Sequence, residues 1–294
     1  MVAKEARVTE QGDREKHAAW IRNVIAEFVN TPENTLQGVW HEPAWGTPLV
    51  GFARGDDPIW TVLKEDIGSF YWTPAEIFAL SHPSLQRAAK ELTVISWVLP
   101  QTERTKSDHR KKIAYPSERW ARSRKYGEDF NVKLRAHLVK TLLEGGCEAV
   151  APQISPLWRM QTSEKYGLSS TWSERHAAYA AGLGTFGLCD GLITFVGKAM
   201  RTGSVVARIN VTATPRPYED FHAYCLFFSR GDCGRCAARC PVEAITKERG
   251  HDKARCQAYV DNTTKDYISK HFGFEAYGCG LCQVNVPCES GIPE

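Results

Sequence analysis

No stretch of this 294-residue chain approaches the roughly 18–20 consecutive apolar residues that a bilayer-spanning helix needs, which excludes a helical membrane anchor. The Met1–Arg14 segment is polar and mixed in charge. It has neither the apolar core of a signal peptide nor a twin arginine, so a cytoplasmic protein with no membrane partner is expected. No self-similarity at solenoid periods is present, which excludes a repeat architecture. Charge of one sign is scarce: the net charge is +3, too small to name a partner class. Cysteine is nearly missing from the first 224 residues, where only Cys147 and Cys189 occur. A disulfide framework spread through the fold is thereby excluded.

What is present is ordinary in bulk, with 43% hydrophobic and 24% charged residues, enough for one large domain or two modest ones. Residues 14–29 read as an amphipathic helix with Ile21, Val24, Ile25 and Phe28 on one face. Residues 35–75, rich in Gly, Pro and Trp, read as strands and loops, with Leu49–Ala53 a short strand. Leu92–Leu99 is a largely apolar run ended by Pro100, as in a strand buried on both faces. Residues 101–116 read as loop and Asp129–Glu144 as a helix stopped by Gly145–Gly146. Cys147–Ala151 and Ser204–Thr212 read as strands, and Ser173–Ala181 as a short helix with Ser173 as N-cap. This order predicts an α/β or α+β domain over 1–215. Residues 216–294 have weak periodicity and many Cys, Gly and Pro, which predicts a small module held by metal.

Eight of the ten cysteines lie between Cys225 and Cys288. The run Cys233-Gly-Arg-Cys236-Ala-Ala-Arg-Cys240-Pro241 matches the end of the bacterial ferredoxin pattern, with Cys225 substituting for the cysteine that Arg230 replaces. Cys256, Cys279, Cys282 and Cys288 complete the set. Closely spaced cysteines wrap one cube and the one before Pro points to the other. The expected sets are therefore Cys225, Cys233, Cys236 and Cys288 for one [4Fe-4S] cluster, and Cys240, Cys256, Cys279 and Cys282 for the second, in a ferredoxin-like module. Two four-cysteine zinc sites are the competing assignment. Cys147 is expected as a buried core thiol, and Cys189 as structural or lining a cofactor pocket.

Two other stretches stand out. Residues 102–125 carry nine Lys/Arg against three acids, either a solvated face or a site for a phosphate-bearing ligand such as RNA. The segment 172–187 ends in Gly182, Gly184 and Gly187, which allow a tight turn or close approach of the backbone to a ligand. These glycines follow a helix, so they are not a dinucleotide fingerprint.

The segments SERHAAYAAGLGTFGLCDGLIT (173–194), Gly203–Val206 and CGRCAARCPVEAI (233–245), with ISWVLP (95–100) and Arg255–Tyr259, resemble the epoxyqueuosine reductase and reductive dehalogenase superfamily. The resemblance runs in order from about residue 90 onward, to a short form without the C-terminal helical-repeat domain. It implies a cobalamin-binding domain followed by the two-cluster module, an external electron donor of ferredoxin or flavodoxin type, and cobalt as the centre that reduces substrate. Gly182, Leu183, Gly184, Thr185 and Phe186, with Gly203, Ser204 and Val205, would face the corrin. The epoxyqueuosine reductases carry an acidic proton donor shortly before the helix matched by 173–181. Here Leu168, Ser169 and Ser170 stand in that region, leaving Tyr166, Glu174 and Tyr179 as candidate proton donors. Glu174 equally reads as a structural carboxylate paired with a basic residue. A cytoplasmic reductase of a small molecule is expected. A non-enzymatic electron carrier or corrinoid activator, and a tRNA epoxyqueuosine reductase, are the alternatives.

Overall fold

The computed structural model describes residues 2–38, 41–85 and 88–294, with side chains from residue 11 onward. Helix α1 (Val2–Val29) leads to strand β1 (Leu49–Arg54), helices α2 (Ile59–Ile67) and α3 (Pro74–Ser81), and strand β2 (Thr93–Pro100). Helices α4 (Glu103–Arg110) and α5 (Glu118–Glu144) precede β3 (Ala149–Val150) and the hairpin β4 (Met160–Ser163) and β5 (Gly167–Ser170). Then come α6 (Glu174–Ala180), the hairpin β6 (Gly184–Phe186) and β7 (Leu192–Thr194), and β8 (Met200–Ala207). Residues beyond 215 form short pieces: α7 (Leu226–Arg230), α8 (Arg235–Ala238), β9 (Ile245–Thr246), β10 (Gly250–His251) and α9 (Lys253–Ala258). A π-helical turn, Tyr259–Thr264, joins α9 to α10 (Lys265–Phe272).

The central sheet has the order β1-β2-β8-β3, and its neighbours are antiparallel. Helix-covered and antiparallel, it is α+β in kind rather than a parallel α/β sheet. Alternate residues of β2 serve two cores. Ile95, Trp97 and Leu99 pack with α1 and α5, while Val94 and Val98 pack with α2, α3 and α6. Helices on both faces explain why β2 is apolar at nearly every position and legible as a buried strand.

Several expectations shift. Residues 35–75 contain one helix and the start of a second. In α2, Trp60, Leu63 and Ile67 are buried at helical spacing, and α3 starts at a Thr73–Glu76 capping box, with Glu76 N donating to Thr73 Oγ1 at 3.3 Å and Thr73 N to Glu76 Oε2 at 2.8 Å. Residues 103–110, expected as loop, form α4 under a Thr102 cap. Helix α5 starts at Glu118 rather than Asp129, because Ser117 caps it and its basic first half buries Trp120, Ala121 and Gly127. Strand β8 starts at Met200 rather than Ser204, since its register with β2 pairs Met200 with Pro100. Cys147 is half-buried at the margin of the core rather than inside it.

The candidate cluster sites and the cavity beside them

The eight clustered cysteines converge in two groups. Cys225, Cys233, Cys236 and Cys288 line one cavity together with Leu188, Ile193 and Lys198. Cys240, Cys256, Cys279 and Cys282 line another, of about 290 Å³, with Cys189, Arg124 and Arg201 at its wall. Among the described residues, no three ligand-type side chains sit as close as a single metal ion requires; each group rings a space instead. Local structure sets these positions. Cys225 is the N-cap of α7, and Cys236 sits in the single turn of α8. Gly280, between Cys279 and Cys282, takes φ +71°, and Trp120 packs so closely over it that a Cβ would collide with the ring. Ala244 N donates to Cys240 Sγ at 3.2 Å.

Behind the second group, His109 is fully buried and stacks on Trp120 with centroids 4.2 Å apart. Its Nδ1 accepts from Ser117 N at 3.2 Å, so its ring proton is on Nε2. Burial, with Arg239 nearby, pushes its pKa down to about 3, and the ring is neutral. The donor chemistry fits iron–sulfur clusters: each space is ringed by four soft ligands, with backbone and side-chain N–H groups beside them.

A cavity of about 380 Å³ adjoins the second group and shares Arg175, His251, Cys256 and Gln257 with its wall. Tyr166, in the turn of the β4–β5 hairpin, enters this cavity, and its hydroxyl donates to Asp66 Oδ2 at 2.6 Å. Lys165 forms an ion pair with the same carboxylate. Burial raises the Asp66 pKa, but the hydrogen bonds from Lys165 and Tyr166 outweigh it and hold Asp66 below its ordinary value. Burial and the Asp66 carboxylate push Tyr166 up. Both effects keep the proton on the tyrosine. His176 is pushed down to about 4, first by burial and then by Lys253 and Arg175, so it lines the cavity as a neutral ring. His251 behaves oppositely. Burial lowers its pKa, but Asp190, 3.1 Å from Nδ1, and the Cys256 thiol raise it to about 9.

Other expected site residues lie elsewhere. Glu174 is buried under α6, receiving Arg135 Nε at 3.1 Å and the Ser204 hydroxyl, the structural role weighed for it above. Tyr179 is buried behind the cavity wall, its ring stacked on Phe221 at 4.6 Å. Of the residues expected to face a corrin, Phe186 lines the cavity. The rest are taken up by the chain itself. A Cβ on Gly182 would come within 2.5 Å of Pro215 O, one on Gly184 would strike Ile193 O, and one on Gly203 would strike the Trp97 ring. Leu183 and Val205 are core residues. Thr185 Oγ1 accepts from Tyr224 N at 2.9 Å, and Ser204 Oγ accepts from Trp172 Nε1 at 3.0 Å. At Gly182, Gly184 and Gly203 the atoms in close approach belong to the chain itself.

Sequence reasoning missed Asp66, Arg175, His176, His251 and Lys253 in the cavity wall. His176 lay inside the quoted SERH segment, whereas nothing in the sequence linked Asp66 to Tyr166. The basic 102–125 segment is largely paired. Arg104 and Arg119 bind Glu42, Arg110 binds Glu103 and Glu289, Arg122 binds Glu118, and Lys125 binds Asp129.

Residues 231–288 match the family model of the 4Fe-4S double cluster binding domain. This chain carries that domain. Seven of its cluster-site cysteines lie inside the match, and Cys225 lies before it but shares the cavity of Cys233, Cys236 and Cys288. Upstream of and through the cluster domain, the chain is similar to curated and solved proteins. It is 25% identical over 171 residues to the epoxyqueuosine reductase of Staphylococcus aureus, covering 57% of this chain and 40% of that one. The epoxyqueuosine reductase structure from Bacillus subtilis aligns with 84% of this chain and 62% of its own, at 19% identity and a TM-score of 0.44. A reductive dehalogenase whose structure is associated with B12-dependent dehalogenation aligns with 80% of this chain and 29% of its own, at 16% identity and a TM-score of 0.45. The chain thus spans less than half the length of the curated relative. The named relatives are oxidoreductases. No helix of the described residues is long and apolar enough to cross a membrane.

Proposed function

We propose that this chain is an iron–sulfur reductase acting on a small molecule in the cavity beside Cys256, with a corrinoid as its reactive cofactor. One observation supports it above the others: the cavity and the second cysteine group share the Cys256 wall. Anything bound there lies next to a cluster ligand. Under this reading, Cys225, Cys233, Cys236 and Cys288 hold the cluster farther from the cavity, and Cys240, Cys256, Cys279 and Cys282 the nearer one. Bound clusters supply single electrons at low potential.

The cavity lining suits the apolar ring of a corrinoid in part. Ile67, Met160, Leu168, Phe186 and Phe221 are apolar, interspersed with polar groups such as His176, whose ring packs on Phe186 at 4.7 Å. The enclosed space is smaller than a whole corrinoid, so these residues can contact only a portion of one. When bound, the cofactor supplies a cobalt centre able to deliver electrons to carbon. The chain's own groups do the rest. Phe186 and Phe221 keep water from the cavity wall. Tyr166 holds a proton at its hydroxyl, and Asp66 orients that hydroxyl. Arg175 and Lys253 favour an anionic or strongly polar substrate. A pure electron carrier needs no such set of convergent polar groups. The extensive pairing of the 102–125 cations favours a small molecule over RNA.

Anaerobic purification with and without added hydroxocobalamin tests the reading. Iron and sulfide near eight each per chain, as two four-iron clusters require, and a co-eluting corrin absorbance are expected. Persistent failure to bind the corrinoid would remove the proposed cofactor, and salt-sensitive binding of an RNA stem-loop would transfer the substrate assignment to RNA.

A further inference from the structure

Between the two cysteine groups lies a buried pair that the function above leaves unused. Lys198 is 2% exposed, and its Nζ lies 3.3 Å from Cys189 Sγ. Lys198 lines the space of the first group, whereas Cys189 lines the space of the second and packs with Cys236 of the first and Cys282 of the second. Cys288 of the first group lines the same space as the lysine. The backbone fixes the arrangement: Lys198 N donates to Cys288 O at 2.9 Å and to Glu289 O at 3.1 Å. The lysine stem crosses Gly191, where a Cβ would lie 2.9 Å from Lys198 Cδ and 3.2 Å from Cys189 Sγ. Gly191 thereby leaves room for both partners.

An ammonium removed from water needs a compensating negative charge. The polar surroundings of Lys198 are sulfur: Cys189 Sγ at 3.3 Å, with Cys225, Cys233, Cys236 and Cys288 around the same space. A four-iron cluster ligated by four thiolates is anionic, and each added electron makes it more so. Net charge and hydrogen bonds to sulfur are the terms that set cluster potentials. A fixed cation between two clusters favours the reduced form of each.

We propose that Lys198 sets the reduction potentials of both clusters together, its ammonium raising each, with Cys189 anchoring it between them. This rests on the two-cluster reading above. The test is an EPR-monitored redox titration of the full chain, purified anaerobically with its clusters, for the native protein, K198M, K198Q and K198R. Iron and sulfide are counted first. A native chain that lacks both clusters overturns the reading and the inference together. With clusters present, the inference expects K198M to keep its iron and both midpoints to move negative. At a fixed solution potential, the reduced-to-oxidised ratio of each cluster falls at least about tenfold, which is about 59 mV for a one-electron couple. K198R stays close to native. Unchanged midpoints in an iron-replete K198M, or a shift confined to one cluster, overturn the inference alone. Loss of iron from K198M and K198Q alike, with K198R replete, assigns the charge to assembly and overturns it as well.

Discussion

Tyr166 donates its hydroxyl to Asp66 at 2.6 Å, joining the turn of one hairpin to the end of a helix a hundred residues earlier. The pair puts a carboxylate into the cavity where the sequence offers Leu168, Ser169 and Ser170. The acid is present, but it orients the proton-bearing group and does not carry the proton itself. Tyr166→Phe is therefore expected to keep both clusters and corrinoid binding while slowing turnover about 10²–10⁴-fold, the usual worth of a positioned general acid. Asp66→Asn, which keeps the size and loses the charge, should cost less. The assay is reductive turnover of a small molecule that the purified chain, loaded with clusters and corrinoid, reduces. Undiminished turnover in Y166F would sink the assignment.

The two cysteine groups make a second expectation, about composition. Cys225→Ala and Cys256→Ala should each lower iron from about eight to about four per chain, since each removes one ligand from a different group. Cys189→Ala should leave iron unchanged, because the eight other thiols already complete both sets. EPR of the reduced proteins separates the cases: the coupling between two reduced clusters disappears in the first two variants and persists in the third. Iron loss in C189A would make Cys189 a ligand.

Much of this was legible in the sequence, and the failures have physical causes. The cysteine grouping could be written down because ligand spacing is local: Cys233, Cys236 and Cys240 sit on adjoining turns. Strand β2 could be read because both its faces are covered. In the Gly182–Phe186 segment a glycine records that something approaches closely, not what approaches. Here Pro215 approaches Gly182 and Ile193 approaches Gly184. Asp66 was invisible because its partner comes from a hairpin far along the chain. Helix α4 was missed because its charges are typical of a loop, and they are neutralised by pairing: Arg104 with Glu42, Lys106 with Glu103, and Arg110 with Glu103 and Glu289.

Gly203 separates packing from cofactor contact. It pairs with Trp97 across β2 and β8, and the Trp97 ring, whose Nε1 donates to Asn131 Oδ1 at 2.9 Å, occupies the space a Cβ would take. Gly203→Ala is expected to destabilise the chain by about 1–3 kcal/mol, the usual cost of overpacking a filled core. Urea unfolding followed by tryptophan fluorescence reads it. The loss should be the same with and without corrinoid. Normal stability without corrinoid, together with weakened corrinoid binding, would return Gly203 to a cofactor-facing role.

Glu174 gives the chain a pH dependence whose sign follows from its burial. Burial raises its pKa from 4.5 to about 7 and prevails over the opposing pull of Arg135 and the Ser204 hydroxyl. The unfolded chain loses this proton near pH 4.5, while the folded chain keeps it to about pH 7. Across that window the native state binds more protons, so the contribution of this group to stability falls as pH rises, and it levels off above about 7. Glu174→Gln removes the titration while keeping an amide that Arg135 and Ser204 can still contact through its carbonyl. The difference in urea midpoint between the native chain and E174Q should therefore move steadily in favour of the variant from pH 5 to pH 7. Taking the difference cancels the contributions of groups common to both proteins. A midpoint difference that is flat over these pH values would mean that Glu174 is ionised throughout and that its ion pair with Arg135 outweighs burial.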